Sequence, residues 1–142
     1  MRMIAVAVIP MLLLMAGAGR THHSPLTIYV MEEMIEIEGT VTDFRFINPH
    51  VRIFIEVINE AGVVESWVGE GGTPNVLLRN GWSPELFRPG DSIHVSGNPA
   101  RDRASLFIHM LNVRQGDGTE LFAEDIKDDE ASERRRSRRR QE

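Results

Sequence analysis

From Ile35 onward, apolar residues recur at every second position, and that period most constrains what the chain can fold into. Such alternation is the mark of a strand with one face on a core and one in water, and a helix cannot satisfy it. Ile35, Ile37, Gly39 and Val41 share one phase, with Glu36, Glu38, Thr40 and Thr42 on the other. After Asp43 the phase slips, and Phe44 and Phe46 become the apolar set. One extra residue within a strand is what a β-bulge supplies, and it lets a single strand bend across two faces of a barrel. Val51, Ile53, Ile55 and Val57 form a second run, and Val64 to Gly69 a third, joined by the turn Asn59-Glu60-Ala61-Gly62.

The period then changes. Thr73 followed by Pro74 is a helix start, Val76, Leu77 and Leu78 are its apolar residues, and Gly81 is its stop. Ser83-Pro84-Glu85 repeats the start and predicts a second short helical piece. Alternation returns at Ile93, Val95 and Gly97, and again at Leu106, Ile108 and Met110. Three strands, a helix and two strands is the element order of an OB-fold. The expected fold is therefore all-β with one short helix, a small five-stranded OB-like barrel over residues 35–122. Another small open barrel or a short β-sandwich is the alternative.

The remaining segments are set by composition. Residues 1–18 read as a signal peptide: Arg2 in a short basic start, an apolar run from Ile4 to Met15, then the small residues Ala16-Gly17-Ala18. The run is too short to span a bilayer, which takes about 20 residues. Residues 19–34 form a lead-in to the mature domain. Residues 123–142 sort their charges into an acidic block and the basic block Arg134–Arg140, with few apolar residues, and read as a disordered tail. The chain has no cysteine, so disulfides, Cys-based zinc sites and thiol nucleophiles are excluded. A small domain of this kind rests on its core.

Some of these residues recur together elsewhere. His22-His23-Ser24 stands past the apolar segment, and Asn48-Pro49-His50 marks a turn. Trp67, Glu70, Pro74-Asn75, Leu77, Arg79 and Gly81-Trp82 follow at fixed spacing, then Pro89-Gly90-Asp91 and Gly97-Asn98-Pro99-Ala100. From His22 to about Leu121 this set resembles a bacterial family of small exported proteins classed only as a domain of unknown function. The resemblance implies a periplasmic location and carries no activity with it. Members usually place the histidine pair directly after an alanine, whereas Gly19-Arg20-Thr21 intervene here.

Candidate site residues follow from the expected barrel. In an OB-fold the loops joining strands one to two and four to five flank the usual binding face. Here those are loops 47–50 and 98–104, which hold Asn48, His50 and Arg101, and the adjoining strands add Arg52, Phe54 and Glu70. Glu70 ends a strand beside glycines, the one acid in a promising place, and a solvated strand-end glutamate is the competing reading. Trp67 and Trp82 read either as a stacking pair or as caps on a small core. Nucleic acid is argued against by charge, because residues 22–122 hold seven arginines and no lysine against fourteen acids. No serine sits in a nucleophile-elbow setting.

Two functions are expected from these residues. The first is a non-enzymatic periplasmic binding or interaction module, its partner a periplasmic protein or small ligand, with no nucleic acid and no stable membrane insertion. The second is a metal-binding protein using His22, His23 and His50: imidazole suits copper, nickel and zinc, a free amino terminus with a third-position histidine can surround Cu(II) or Ni(II), and Cu(II) is the ion expected in the periplasm. Processing is directly checkable. N-terminal sequencing of protein from a periplasmic extract is expected to give Gly19, or Arg20 if cleavage falls one residue later. An intact Met1 on soluble cytoplasmic protein would refute export.

Overall fold

The computed structural model describes residues 25–124. The alternating runs form β1 (Ile35–Arg45), β2 (Arg52–Ile58), β3 (Val64–Glu70), β4 (Ser92–Pro99) and β5 (Phe107–Gln115). A short helix α1 (Pro25–Ile28) precedes them, α2 (Pro74–Arg79) lies between β3 and β4, and β6 (Glu120–Phe122) follows β5. The sheet order is β3-β2-β1-β4-β5-β6, and β3 also pairs with β5 in parallel. That last pairing closes β1 to β5 into a five-stranded barrel of OB-like connectivity, as the element order predicts. No helix among the described residues is long and apolar enough to cross a membrane.

β1 makes closure possible by serving two neighbours. Its first half, Ile35 to Thr40, pairs with β4, and Thr40 to Arg45 pairs with β2. The register jumps from Val41 opposite Ile55 to Asp43 opposite Phe54, so Thr42 is the extra residue of a bulge. The phase slip in the sequence marks this bend. Gly39 sits where a Cβ would collide with the Glu56 carbonyl, so the close crossing of β1 over β2 requires glycine there.

The inward phases fill the barrel. Val51, Ile53, Ile55, Val95, Ile108 and Leu77 are all buried, as the alternation predicts, together with Val41, Met110 and Val113. Leu77 plugs one end from α2, whose start is fixed by Pro74 and by the Thr73 hydroxyl accepting from the Val76 amide at 3.4 Å. Trp82 is buried beside Phe87, with Phe44 edge-on to Phe87 at 5.3 Å. Its indole N–H donates to the Phe122 carbonyl at 2.9 Å, so Trp82 caps the core rather than facing a ligand.

Three expectations need correction. Ser83-Pro84-Glu85 makes a hydrogen-bonded turn, Leu86 amide to Ser83 carbonyl, and not a helical piece. β6 is a sixth strand, only three residues long and therefore too short to show alternation. The tail does not begin at residue 123. Ala123 is fully buried, its amide donates to Leu111 and its carbonyl accepts from Gly72, while Asn80 Nδ2 donates to the Glu124 carbonyl at 2.7 Å. Residues 125–142, and residues 1–24 with the expected signal peptide, lie outside the described residues.

Two stability outcomes follow. Ile53→Ala, at a fully buried central position, is expected to cost about 2–5 kcal/mol in denaturant unfolding. A chain ending at Phe122 is expected to melt several degrees below one ending at Glu124, because it loses the buried Ala123 and its backbone bonds. Equal melting temperatures would remove Ala123 and Glu124 from the folded unit.

Candidate functional site

Strand alternation puts Ile53, Ile55, Gly69, Ile108 and Met110 inside, so Arg52, Phe54, Val68, Glu70, Phe107 and His109 share the outer face of β2, β3 and β5. Register then sorts them into rows. Phe54 lies opposite Val68, and Val68 opposite Phe107, giving an apolar row across three strands. The next row runs Arg45, Arg52, Glu70, His109, Asn98 across all five strands of the barrel. On the other side of the apolar row stand Glu56 and Ser66. A strip of apolar surface is thus bordered by hydrogen-bonding groups along both edges.

Both arginines of these rows are paired with carboxylates, while Glu56 stands exposed at the other edge of the strip. Arg52 donates to Glu70 Oε2 through Nε and a terminal nitrogen, at 3.0 and 2.8 Å. Arg45 Nε donates to Asp43 at 2.9 Å, and its guanidinium carbon stands 4.7 Å from the centre of the Phe54 ring. Phe107 remains exposed, at 36%, whereas Phe54 and Val68 are half-buried.

At the β4 and β5 end the outer face is covered by the lead-in. Tyr29 bridges to Ala100, and the Val30 amide donates to the Pro99 carbonyl. Asn98 Nδ2 donates to the Glu33 carbonyl at 2.6 Å, and Arg103 pairs with the Glu33 carboxylate. The Tyr29 ring stacks on His109 at 5.1 Å, and His109 Nε2 lies 3.3 Å from Glu124. Both chain ends of the described unit therefore meet at one histidine.

Of the residues singled out in the sequence, the fold brings Arg52, Phe54 and Glu70 into direct neighbourhood. His50 and Asn48 stand on the exposed 47–50 loop beside them, where the Asn48–Pro49 peptide is cis and His50 Nδ1 lies 3.2 Å from the Gly71 carbonyl. Arg101 is exposed on the other flanking loop, its amide held by the Ile28 carbonyl. His22 and His23 lie outside the described residues. Among the described residues no group of three or more His, Cys, Asp or Glu side chains is placed to hold a metal ion.

Sequence reasoning missed Val68, Phe107, His109, Tyr29 and Asn98. Phe107 and His109 do carry a signal, since they occupy the off-phase of a strand whose inward residues are Ile108 and Met110. Two clefts lie elsewhere. One, of about 180 Å³, is lined by Glu38, His94 and Arg114, and the other, of about 240 Å³, by Phe87, Asp91 and Gln115.

Fold and site together define a small OB-like barrel with an apolar strip between its two flanking loops. The chain belongs to a family of unknown function, DUF6152, whose model matches residues 11–107. The match covers β1 to β4 and stops at Phe107, the first residue of β5, earlier than the motif resemblance extends. No curated protein matches the chain.

Burial of Tyr29, the one tyrosine of the chain, gives a direct probe of this end of the site. Its phenol is pushed up from 10.0 to about 12, chiefly by burial, then by the negative charge of Glu70, with Arg52 acting in the opposite sense. The folded state thus favours the neutral phenol. The stabilisation is complete below pH 10 or so and is lost as pH rises through about 12. Phenolate absorbance is expected to rise with a midpoint near 12 in the folded protein and near 10 after denaturation. A folded midpoint near 10 would mean that Tyr29 is not covered.

Proposed function

We propose that this protein is an exported, periplasmic binding module that works without chemistry of its own. Its binding face is the outer surface of β2, β3 and β5 between loop 47–50 and the β4–β5 loop, which begins at residue 100 and not at 98 as expected, since Asn98 and Pro99 pair within β4. The observation that carries the reading is the row Phe54, Val68, Phe107, an outward-facing apolar strip with Phe107 exposed and Phe54 and Val68 half-buried, beside the β4 and β5 end that the lead-in covers. An exposed apolar strip rimmed by polar groups marks an interaction surface. The rim is supplied by Arg52, Glu70 and Arg45 and, on the flanking loops, by Asn48, His50 and Arg101.

Two details favour recognition over reaction. Glu70 is engaged by Arg52 through two hydrogen bonds, an arrangement that positions both groups. The outward row of Phe54, Val68 and Phe107 offers contact area and no reacting group.

The test compares material retained from periplasmic extract by immobilised wild-type protein and by a Phe54→Ala/Phe107→Ala variant. The variant is expected to lose what the wild type retains while melting within a few degrees of it, because neither ring is part of the buried core. His50→Ala/Arg101→Ala is expected to weaken retention further at the flanks. Identical retention by wild type and the aromatic variant would refute this face as the binding surface.

A further inference from the structure

Resting on the binding-module reading above, we infer that the ligand of this face is a neutral oligosaccharide. The argument is one of complementarity. A sugar ring has apolar C–H faces and a hydroxyl-bearing edge, so it is matched by an apolar platform with donors and acceptors beside it and no unpaired arginine. The strip has that composition. Phe54, Val68 and Phe107 form the platform across three strands, about 10 Å of sheet at the usual strand spacing. Arg52 and Arg45 supply donors, and Glu70 and Asp43 supply acceptors.

The pairing of charges separates this ligand class from the others. A face built for phosphate or carboxylate would leave its arginines unpartnered, but here Arg52 is neutralised by Glu70 and Arg45 by Asp43. A nucleic acid would also face the excess of seven acids in residues 22–122. A protein partner with a standard interface needs about 800 Å² on each side. Three apolar side chains across about 10 Å provide far less than that. A row of apolar groups running across three strands suits a chain-like ligand lying across them, and the paired guanidinium and carboxylate groups are set to exchange hydrogen bonds with hydroxyls.

Processed protein is titrated calorimetrically with cellohexaose, chitohexaose and maltohexaose, with an oligogalacturonate and a short single-stranded DNA as charged counterparts. At least one neutral sugar is expected to bind with a Kd below about 1 mM, with little dependence on salt. Phe54→Ala and Phe107→Ala are each expected to weaken it about three- to ten-fold. Amide shifts of the wild-type protein are expected to move at 52–54, 68–70 and 107–109, a readout that needs no variant to fold. Failure of all three neutral sugars, binding undiminished in the double variant, or tighter binding of the DNA that falls steeply with salt would each overturn the inference. If the sugars fail while the double variant still loses what the wild type retains from extract, the sugar assignment falls and the binding face stands. Failure of both experiments removes both.

Discussion

A three-residue parallel ladder, Val68 to Glu70 against Phe107 to His109, holds the site together. Without it β3 and β5 would be two edges of an open sheet, and Phe107 would have no place beside Val68. The ladder is short, so its support comes from packing. Gly69 faces inward where Met110 crosses, and a Cβ there would meet the Met110 sulfur at 2.5 Å. On the far side of β5, Gly97 sits at a register shift of β4 where a Cβ would strike the His109 carbonyl. Two glycines thus let β5 approach both neighbours closely, and closure and core packing become the same event.

The bend in β1 is the counterpart of that closure. A flat strand could pair with β2 or with β4 along its whole length, but it could not divide itself between them. The extra residue Thr42 adds twist, and Gly39 removes the side chain that would keep β2 at a distance. Both segments that flank the barrel in sequence then become part of it. Tyr29 lies on the outer face, and Ala123 seals the end beside Gly71 and Gly72, whose missing side chains leave room for its carbonyl.

What the sequence made legible was local periodicity, and what it hid was pairing between distant elements. The inward residues of β1, β2, β4 and β5, the bulge and α2 each leave a trace within about ten positions of themselves, and all were readable. β6 was not, since three residues cannot display a period of two, and neither was the anchoring of Ala123, which depends on Gly72, about fifty residues earlier. The site divides the same way. Arg52, Phe54 and Glu70 were found because they lie beside a recognisable turn and a strand end. Val68 and Phe107 were missed because each looks like an unremarkable strand residue until the parallel register sets them side by side. Tyr29 was missed because nothing in the lead-in says which surface it will cover.

The distribution of charge gives the last link between fold and function. Exposed ion pairs contribute little to stability, so Arg45 with Asp43 is a weak explanation of how the barrel stays folded. Such pairs do change the field that a ligand meets. The acid excess of the domain is carried largely off this face, by residues such as Glu36, Glu38, Glu60, Glu85 and Glu120 on exposed positions of other strands and turns. At the strip each arginine is matched by its own carboxylate, and Glu56 adds a further acid at its edge. On the proposed reading, an acidic body around a strip with no unpaired arginine discourages anions and leaves an uncharged ligand unopposed. Selectivity of that kind comes from where the carboxylates are placed, and the placement is set by the same register that closes the barrel.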